Sequence, residues 1–526
     1  MPDLVLVAVL QARLAAIAEE MGEAMLRTSY SQILNSSRDF SIALTDSRCR
    51  LVAQADHIPV HVGAMPWAVR SVSAAFPEPT HGDVFLLNDP YHGGSHLPDL
   101  TALVPVFAQG RHLFWSVVRG HQSDIGGSTH GGYNPAATEI WQEGLRIPPI
   151  RLTEGGVVRD DLVAMLAANT RNARDFRGDL AAMVGAARQG AARLAALAAE
   201  HGADALLGVV DAILDASERH ARAVVATWAE GIYHGEAVLD DDGHGREDIR
   251  IRAVVTIRDG NVEVDLSGSD PQVTGFCNSS YANSWSAAAM AFAYLLDPDT
   301  ARNDGAFRPL SVRMQEGTVV WAREGAAVTL CTSHPSNEIV EAIVSALAPA
   351  CPERVMGGWG RRFRLALAGQ DPRNGRRFIW HLFHARPGGG ASVAGAGWAT
   401  AGEWHSVGGI KFGSTEVMEA RFPLVLERHE FREGSGGSGH HHGGDGVVLD
   451  LRVEAEDAVA NTAGDGTRHG ARGIGGGADG MPHCYVLEAP GALPRTLRTK
   501  EAGVPVPRGS RFRLLSGGGG GWGAPS

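Results

Sequence analysis

Apolar and polar positions change period along this chain, and the changes mark its elements. Residues 4 to about 33 carry apolar side chains at helical spacing. The stretch "DFSIALTDSRCRLVAQA" then alternates apolar and polar residues on both sides of Asp46–Arg48, the pattern of a β-hairpin. Up to about residue 150 the chain is mixed and loop-rich, with strand-like runs "DVFLL", "LTALVPVF" and "HLFWSVV". From about 160 to 229 helical spacing returns, through Leu180, Met183, Ala187, Leu194 and Leu197, then Leu206, Val210, Ile213 and Leu214. Gly185, Gly190 and Gly202 predict several helices there rather than one. After Tyr233, "IRIRAVVTIRDGNVEVDLSGS" alternates around Asp259-Gly260 and predicts a tight hairpin. Helices are expected around 283–296 and 337–349, among strands and glycine loops.

These elements predict an α+β fold. It has multi-lobed mixed sheets, a helical segment in the middle of the chain and a glycine-rich, strand-rich C-terminal half. The textures divide it into an N-terminal mixed α/β region at 1–155 carrying the candidate site, a helical region at 156–230, and a mixed region at 231–526. Two glycine-rich stretches stand out, "GSGGSGHHHGGDG" (434–446) and "SGGGGGWGAPS" at the end. Each reads as a flexible loop or tail, or, for the first, as a structured turn entering the strand "VVLDLRVE".

Composition narrows the partners. With 526 residues, 44% hydrophobic and 20% charged, the chain has the make-up of a globular protein with large cores. A formal net charge of −12 argues against nucleic acid or anionic membrane as a partner. The five scattered cysteines form no C-x-x-C pair, which disfavours a disulfide framework or thiolate zinc site and makes a reducing cytoplasm the expected compartment. The opening run "LVLVAVL" is too short and too weakly flanked for a signal peptide, and no stretch reaches the roughly 20 apolar residues of a membrane span.

Several familiar motifs are missing. Neither Lys411 nor Lys500 follows a glycine, so there is no P-loop. Gly475, Gly477 and Gly480 match G-x-G-x-x-G, but the strand-like "MPHCYVL" follows where a dinucleotide fold needs a helix. No serine sits in G-x-S-x-G. "HEFRE" at His429 lacks the second histidine of a zincin, and His440–His442 read as loop residues that in principle can bind a metal.

Ligand-type groups concentrate between His57 and Glu143. "HIPVH" sets His57 and His61 on an extended segment around Pro59. The loop "NDPYHGGSHLPDL" carries Asp89, His92, His96 and Asp99, while "GHQSDIGGSTHGG" supplies His121, Asp124 and His130 after an apolar run. Glu139 and Glu143 follow. An H-x-x-D pair leaving a strand can aim imidazole and carboxylate at one point, and a third group would complete an open metal site. Nitrogen and oxygen donors suit Mn, Fe, Zn or Mg.

The segments "DFSIALTDSRCRLVAQADHIPVHVGAMP", "NDPYHGGSHLPDLTALVPVF", "HQSDIGG", "EGLRIPPIRL", "GDLAAMVGAAR", "RPLSV", "SGGSG" and "GGGGGWGAP" resemble, in this order, the hydantoinase B/5-oxoprolinase family over nearly the whole chain. The resemblance implies an A-type partner that uses ATP and Mg to phosphorylate a carbonyl oxygen, a small cyclic amide or imide as substrate, and a hetero-oligomer. It implies that this B subunit opens the ring of the phosphorylated substrate, a hydrolase acting on C–N bonds. A divalent metal is expected on His61, His121 and Asp124. Asp89, His96, Asp99 and Glu143 are expected in catalysis, aligning water or moving protons, with glycine amides (Gly93, Gly94, Gly126, Gly127) facing developing negative charge. A subunit of an ATP-dependent ketone carboxylase and a non-catalytic scaffold are the alternatives. The "HHH" of 440–442 departs from the family pattern, which has arginine or tyrosine there.

Overall fold

A computed structural model describes residues 3–55, 57–407 and 410–525. Its N-terminal part is organised by a seven-stranded antiparallel sheet. The strands run in the spatial order Leu51–Ala55, Phe40–Asp46, Arg111–His121, Asp99–Ala108, Val84–Leu87, Ile150–Glu154 and Val157–Val158. The central hairpin turns at Gln109-Gly110, both with positive φ (53° and 73°), as the twist of a two-residue turn demands. Its register sets Asp99, the first residue of one strand, opposite His121, the last of the other.

Both faces of this sheet are covered, so its strands read as nearly unbroken apolar runs. Ala102, Val104 and Val118 pack on one side with Leu14, Met21, Leu180 and Met183, from helices Leu4–Thr28 and Ala173–His201. Leu103, Trp115 and Val117 pack on the other with Met65, Ala68 and Val72 of helix Pro59–Ala75. That helix corrects the extended reading of "HIPVH": Pro59 occupies its first turn, where a missing N–H costs nothing, and His61 follows on the helix.

The middle of the chain is helical, as Asp160–Ala168, Ala173–His201 and Ala203–Val225. Only Gly202 (φ 85°) breaks the long pair; Gly185 and Gly190 lie inside a helix. At Gly190 the reason is close approach, since a Cβ there would lie 2.2 Å from Met21 Sδ and 2.5 Å from Ser116 Oγ. The predicted Asp259-Gly260 hairpin joins Glu247–Arg258 to Asn261–Asp265 in a four-stranded sheet packed under helix Ser336–Ala346. Two further antiparallel sheets, of four and five strands, share a separate core around Phe363, Trp380, Leu449, Tyr485 and Phe512. The fold is therefore mixed α and β with several antiparallel sheets, as the periodicities predict.

The glycine stretches are ordered structure, not tails, and Gly517–Gly521 are buried. Gly517–Gly521 thread between other glycine-rich segments through backbone bonds: Gly519 N donates to Gly444 O (2.9 Å), Gly437 N to Gly519 O (2.8 Å), Gly444 N to Gly389 O (2.8 Å). A Cβ on Gly519 would fall 2.0 Å from Gly389 O. Backbones this close leave no room for side chains, which explains the composition.

Candidate metal centre

The loop from Asn88 to Pro98 is buried except at Tyr91 and His92, and Asn88 clamps it. The Asn88 amide donates to Leu97 O (2.7 Å) and Leu145 O (2.8 Å) and accepts from Ile147 N (2.7 Å). The loop delivers His96 and Asp99 to the edge of the central hairpin, where His121 arrives across the ladder and His61 from the first turn of its helix.

Three imidazoles converge on one carboxylate there. Asp99 Oδ1 lies 3.0 Å from His96 Nε2 and 2.9 Å from His121 Nδ1, and Asp99 Oδ2 lies 3.1 Å from His61 Nε2. His96 Nε2 and His121 Nδ1 are 3.1 Å apart. All four side chains are at most 3% exposed. Donor atoms about 3 Å apart are spaced as ligands around a single ion with bonds of about 2.1 Å. The Ser95 hydroxyl donates to Asp99, and the Cys331 thiol donates to Ser95 O (2.9 Å). Burial works to raise the pKa of Asp99, but His61 and His96, with His121, outweigh it and hold the carboxyl well below its usual range.

The tautomer of His96 tests whether this cluster fits a cation. His96 Nδ1 lies 2.6 Å from Thr329 O. A carbonyl only accepts, so Nδ1 carries the proton, and in the neutral ring Nε2 presents a lone pair to Asp99 Oδ1 and His121 Nδ1. The His96 lone pair and the Asp99 carboxylate therefore face one another at 3.0 Å, a repulsive pairing that a divalent cation between them removes. The nearest buried cation does not do so: the Arg119 guanidinium donates to Thr101 Oγ1 (2.8 Å), His61 O (3.2 Å) and Gly93 O (3.2 Å). His96, Asp99 and His121 thus form a compact nitrogen-rich donor set, suited to Zn, Mn or Fe, with His61 on the other oxygen of the same carboxylate.

Glu143 supports this set without joining it. Its carboxylate accepts from Val328 N and Thr329 N, each at 2.9 Å, fixing the carbonyl that orients His96. Burial raises its pKa to about 7 against those two amides. Asp89 sits apart, capping Tyr91 N (3.0 Å) and paired with His92 and Arg146 (2.7 Å each). Asp124, expected beside His121, also turns away. The chain bends at Ser123, and Asp124 bonds Arg171 N (2.8 Å) and Arg171 Nη1 (3.1 Å), neutralised by a guanidinium from the connection between two helices. Gly94 N and Gly126 N are bonded to Asp89 O and to Asp124 itself, so they are not free for an oxyanion. His440–His442 lie at the edge of the glycine bundle, with His440 and His442 exposed.

Residues the sequence does not single out close the site. His381 Nε2 contacts Ser123 O (3.3 Å), and its ring meets Tyr133 edge-on at 5.4 Å. Burial, with the charge of His121 second, lowers the pKa of His381 to about 3, so it is neutral. Ser123 and His381 line a cleft of about 260 Å³ together with Ser31, Asn172, Arg174 and Arg377, which opens to the surface two residues from His121. A larger cavity of about 800 Å³, along strand Leu424–Arg432, contains no residue of the cluster. A second buried group of ligand type, His334, Glu338 and Asp465, carries its own cations: Arg361 Nη1 on Glu338 (2.9 Å) and Lys500 Nζ on Asp465 (3.1 Å). Among the described residues, no helix is long and apolar enough to cross a membrane.

Comparison with known proteins places this architecture. The caprolactamase subunit beta of Pseudomonas jessenii is 36% identical over 85% of this chain and 78% of its own length. The crystal structure of the ATP-dependent caprolactamase from that organism superposes with a TM-score of 0.94 at 32% identity, covering 99% of this chain and 91% of the other. 5-Oxoprolinase 1 of Arabidopsis thaliana is 29% identical over 99% of this chain, which spans only 42% of that longer protein. A nucleotide-free acetone carboxylase structure shares the fold, with a TM-score of 0.91 at 20% identity, covering 99% of this chain and 76% of that one. The Hydantoinase B/oxoprolinase family model matches residues 3–525, and the chain belongs to that family.

Proposed function

We propose that this chain is the ring-opening subunit of an ATP-dependent cyclic-amide hydrolase, and that His61, His96, Asp99 and His121 form its metal centre. The observation that carries the reading is the buried carboxylate facing three imidazoles, one of which must present its lone pair inward. Likeness to a caprolactamase subunit beta supports a lactam or related imide as substrate and a partner subunit, which on this reading is an A-type subunit that uses ATP and Mg. The four side chains would hold a divalent ion, which would supply Lewis acidity there.

A lactam resists hydrolysis because amide resonance opposes attack at carbon. Phosphorylation of its oxygen by the partner gives a phospho-imidate. Water then adds across C=N, oxygen to carbon and proton to nitrogen. The hydroxyl proton passes to nitrogen as the C–N bond breaks with its electron pair on nitrogen, leaving an amine and an acyl phosphate. A second water releases carboxylate and inorganic phosphate. In this sequence Asp99 stays ionised and orients three imidazoles, Glu143 fixes His96 through Thr329, and neutral His381 with Tyr133 closes the site beyond Ser123.

The test is reconstitution with the partner. His121→Ala should remove both bound metal, read by elemental analysis, and amide hydrolysis, while ATP use by the partner persists. Full hydrolysis by this variant would make the chain a scaffold. ATP-dependent bicarbonate incorporation into a ketone without lactam hydrolysis would make it a carboxylase subunit.

A further inference from the structure

Next to the metal centre lies a contiguous group whose unmatched polar atoms are all donors. Arg362 is 6% exposed, and among the described residues no carboxylate pairs with it. Its Nη2 donates to Tyr133 Oη (2.7 Å) and its Nη1 to His405 Nε2 (3.3 Å), while its Nε has no acceptor. Because His405 accepts at Nε2, its proton sits on Nδ1, and that N–H too is buried without an acceptor. His405 N donates to Asn337 Oδ1 (2.8 Å), and the Asn337 amide nitrogen is again unmatched. The neighbouring Arg364 differs, since Glu403 meets it with both oxygens (2.9 and 3.3 Å). Glu403 acts on Arg362 and His405 through space but is bonded to Arg364, and buried donors in this number are costly unless something accepts from them.

The group is placed to serve the reaction. The backbone of His405 accepts from Val60 N (3.4 Å), the residue before His61. Tyr133, which holds Arg362, packs against His381, and His381 lines the cleft beside Ser123. In the lining of that cleft Arg174, Arg376, Arg377 and Arg421 outnumber Asp175 and Asp371, which favours entry of an anion.

We propose that Arg362, His405 and Asn337 form an oxyanion subsite that takes an anionic group of the substrate while its carbon faces the metal centre. This rests on the function proposed above, in which the substrate arrives carrying a phosphoryl group. A guanidinium with two neutral N–H donors suits phosphoryl oxygens, and a carboxylate offers the same acceptors.

Calorimetry on the full chain with inorganic phosphate, and separately with glutarate, tests the subsite without turnover. One equivalent of phosphate should bind and raise the melting temperature, with or without a chelator in the buffer. Arg362→Gln should weaken binding at least tenfold. Tyr133→Phe keeps the packing but frees Arg362, and should weaken binding severalfold with only a modest fall in melting temperature, since one buried donor loses its acceptor. This keeps the proposal testable if Arg362→Gln fails to fold. Tighter binding of phosphate assigns the subsite to the phosphoryl group, and tighter binding of glutarate assigns it to a substrate carboxylate. Absence of binding for both, binding that vanishes with the metal, or full affinity in Tyr133→Phe overturns it. The outcomes separate from the functional reading, because lactam hydrolysis without phosphate binding sinks only the subsite, and binding without hydrolysis sinks only the function.

Discussion

Two buried clusters in this protein gather histidine and carboxylates, and they differ in what neutralises them. Around His334, Glu338 and Asp465 the chain provides its own cations, with Arg361 bridging Glu338 and Glu341 and Lys500 on Asp465. Around Asp99 it provides imidazoles alone, and the nearest guanidinium, Arg119, is turned to neutral oxygens. The first arrangement is a network of ion pairs with internal cations, which in a protein interior are held in place by mutual attraction and are destabilising to break. The second leaves inward-facing lone pairs, which is the condition for holding an external cation. Ligand-type residues in proximity thus do not define a metal centre; the absence of an internal counter-charge does.

The largest effect should come from removing the charge that organises the second arrangement. Asp99→Asn keeps the shape but replaces an acceptor-only group by one that also donates. Metal content should fall to background and lactam hydrolysis by at least about a thousandfold, the scale on which loss of an essential electrostatic group acts. Retained metal in this variant would mean that the imidazoles are a hydrogen-bonded core.

Lys500→Met attacks the other side of the comparison. It leaves Asp465 buried beside Asp240 without its ammonium, and stability should drop by about 3–5 kcal/mol, as when one partner of a buried pair is removed. Urea unfolding measures it. Metal bound at Asp99 should be unaffected. If the variant gains a second equivalent of zinc, the principle sharpens further, since loss of the internal cation would have turned one kind of cluster into the other.

How much of this was legible depends on how local each signal is. The hairpins at 40–55 and 247–265 and the helices from 160 to 225 announce themselves through side-chain period, because burial of one face is decided residue by residue. His96, Asp99 and His121 were legible as polar groups at the ends of apolar strands, and the Asp99–His121 register then brings them together. Asp124 misled because a spacing of three after a strand says nothing about a guanidinium 47 residues later. Tyr133, Arg362, His381 and His405 carried no signal, since each is an ordinary residue in its own segment and they meet only in three dimensions. The glycine bundle was opaque for a different reason. A composition with few side chains fits both a flexible tail and backbones packed against one another, and only the neighbours of Gly519 decide.

Glu143→Gln should have a smaller effect that depends on pH. The Glu143 carboxyl holds its proton up to about 7, against an ordinary value of 4.5. Between those values the folded chain binds more protons than the unfolded one. The contribution is therefore fully present below pH 4.5 and is lost as pH rises to about 7. The glutamine variant lacks this titration, so its melting temperature should vary less from pH 5 to 7 than that of the unmodified chain. Because the side chain orients His96 only through Thr329, metal affinity should fall by about 10–100-fold rather than vanish. An unchanged pH slope would show that Glu143 is ionised throughout.

The smallest effect belongs to the residues that look most like a metal site in the sequence. His440, His441 and His442 are consecutive in the sequence. In the structure their backbone joins the glycine bundle, with His440 N on Gly523 O (3.1 Å) and His441 N on Trp522 O (3.0 Å). Those bonds do not depend on the side chains. The His440 and His441 rings meet edge to face at 4.6 Å, and no carboxylate is paired with any of the three among the described residues. His440→Ala should therefore change stability by less than about 0.5 kcal/mol, as expected of an exposed side chain outside any network. Metal content and lactam hydrolysis should equal those of the unmodified chain, even when all three are replaced. Loss of one metal equivalent from the triple variant would move the centre from the end of the central hairpin to the edge of the glycine bundle.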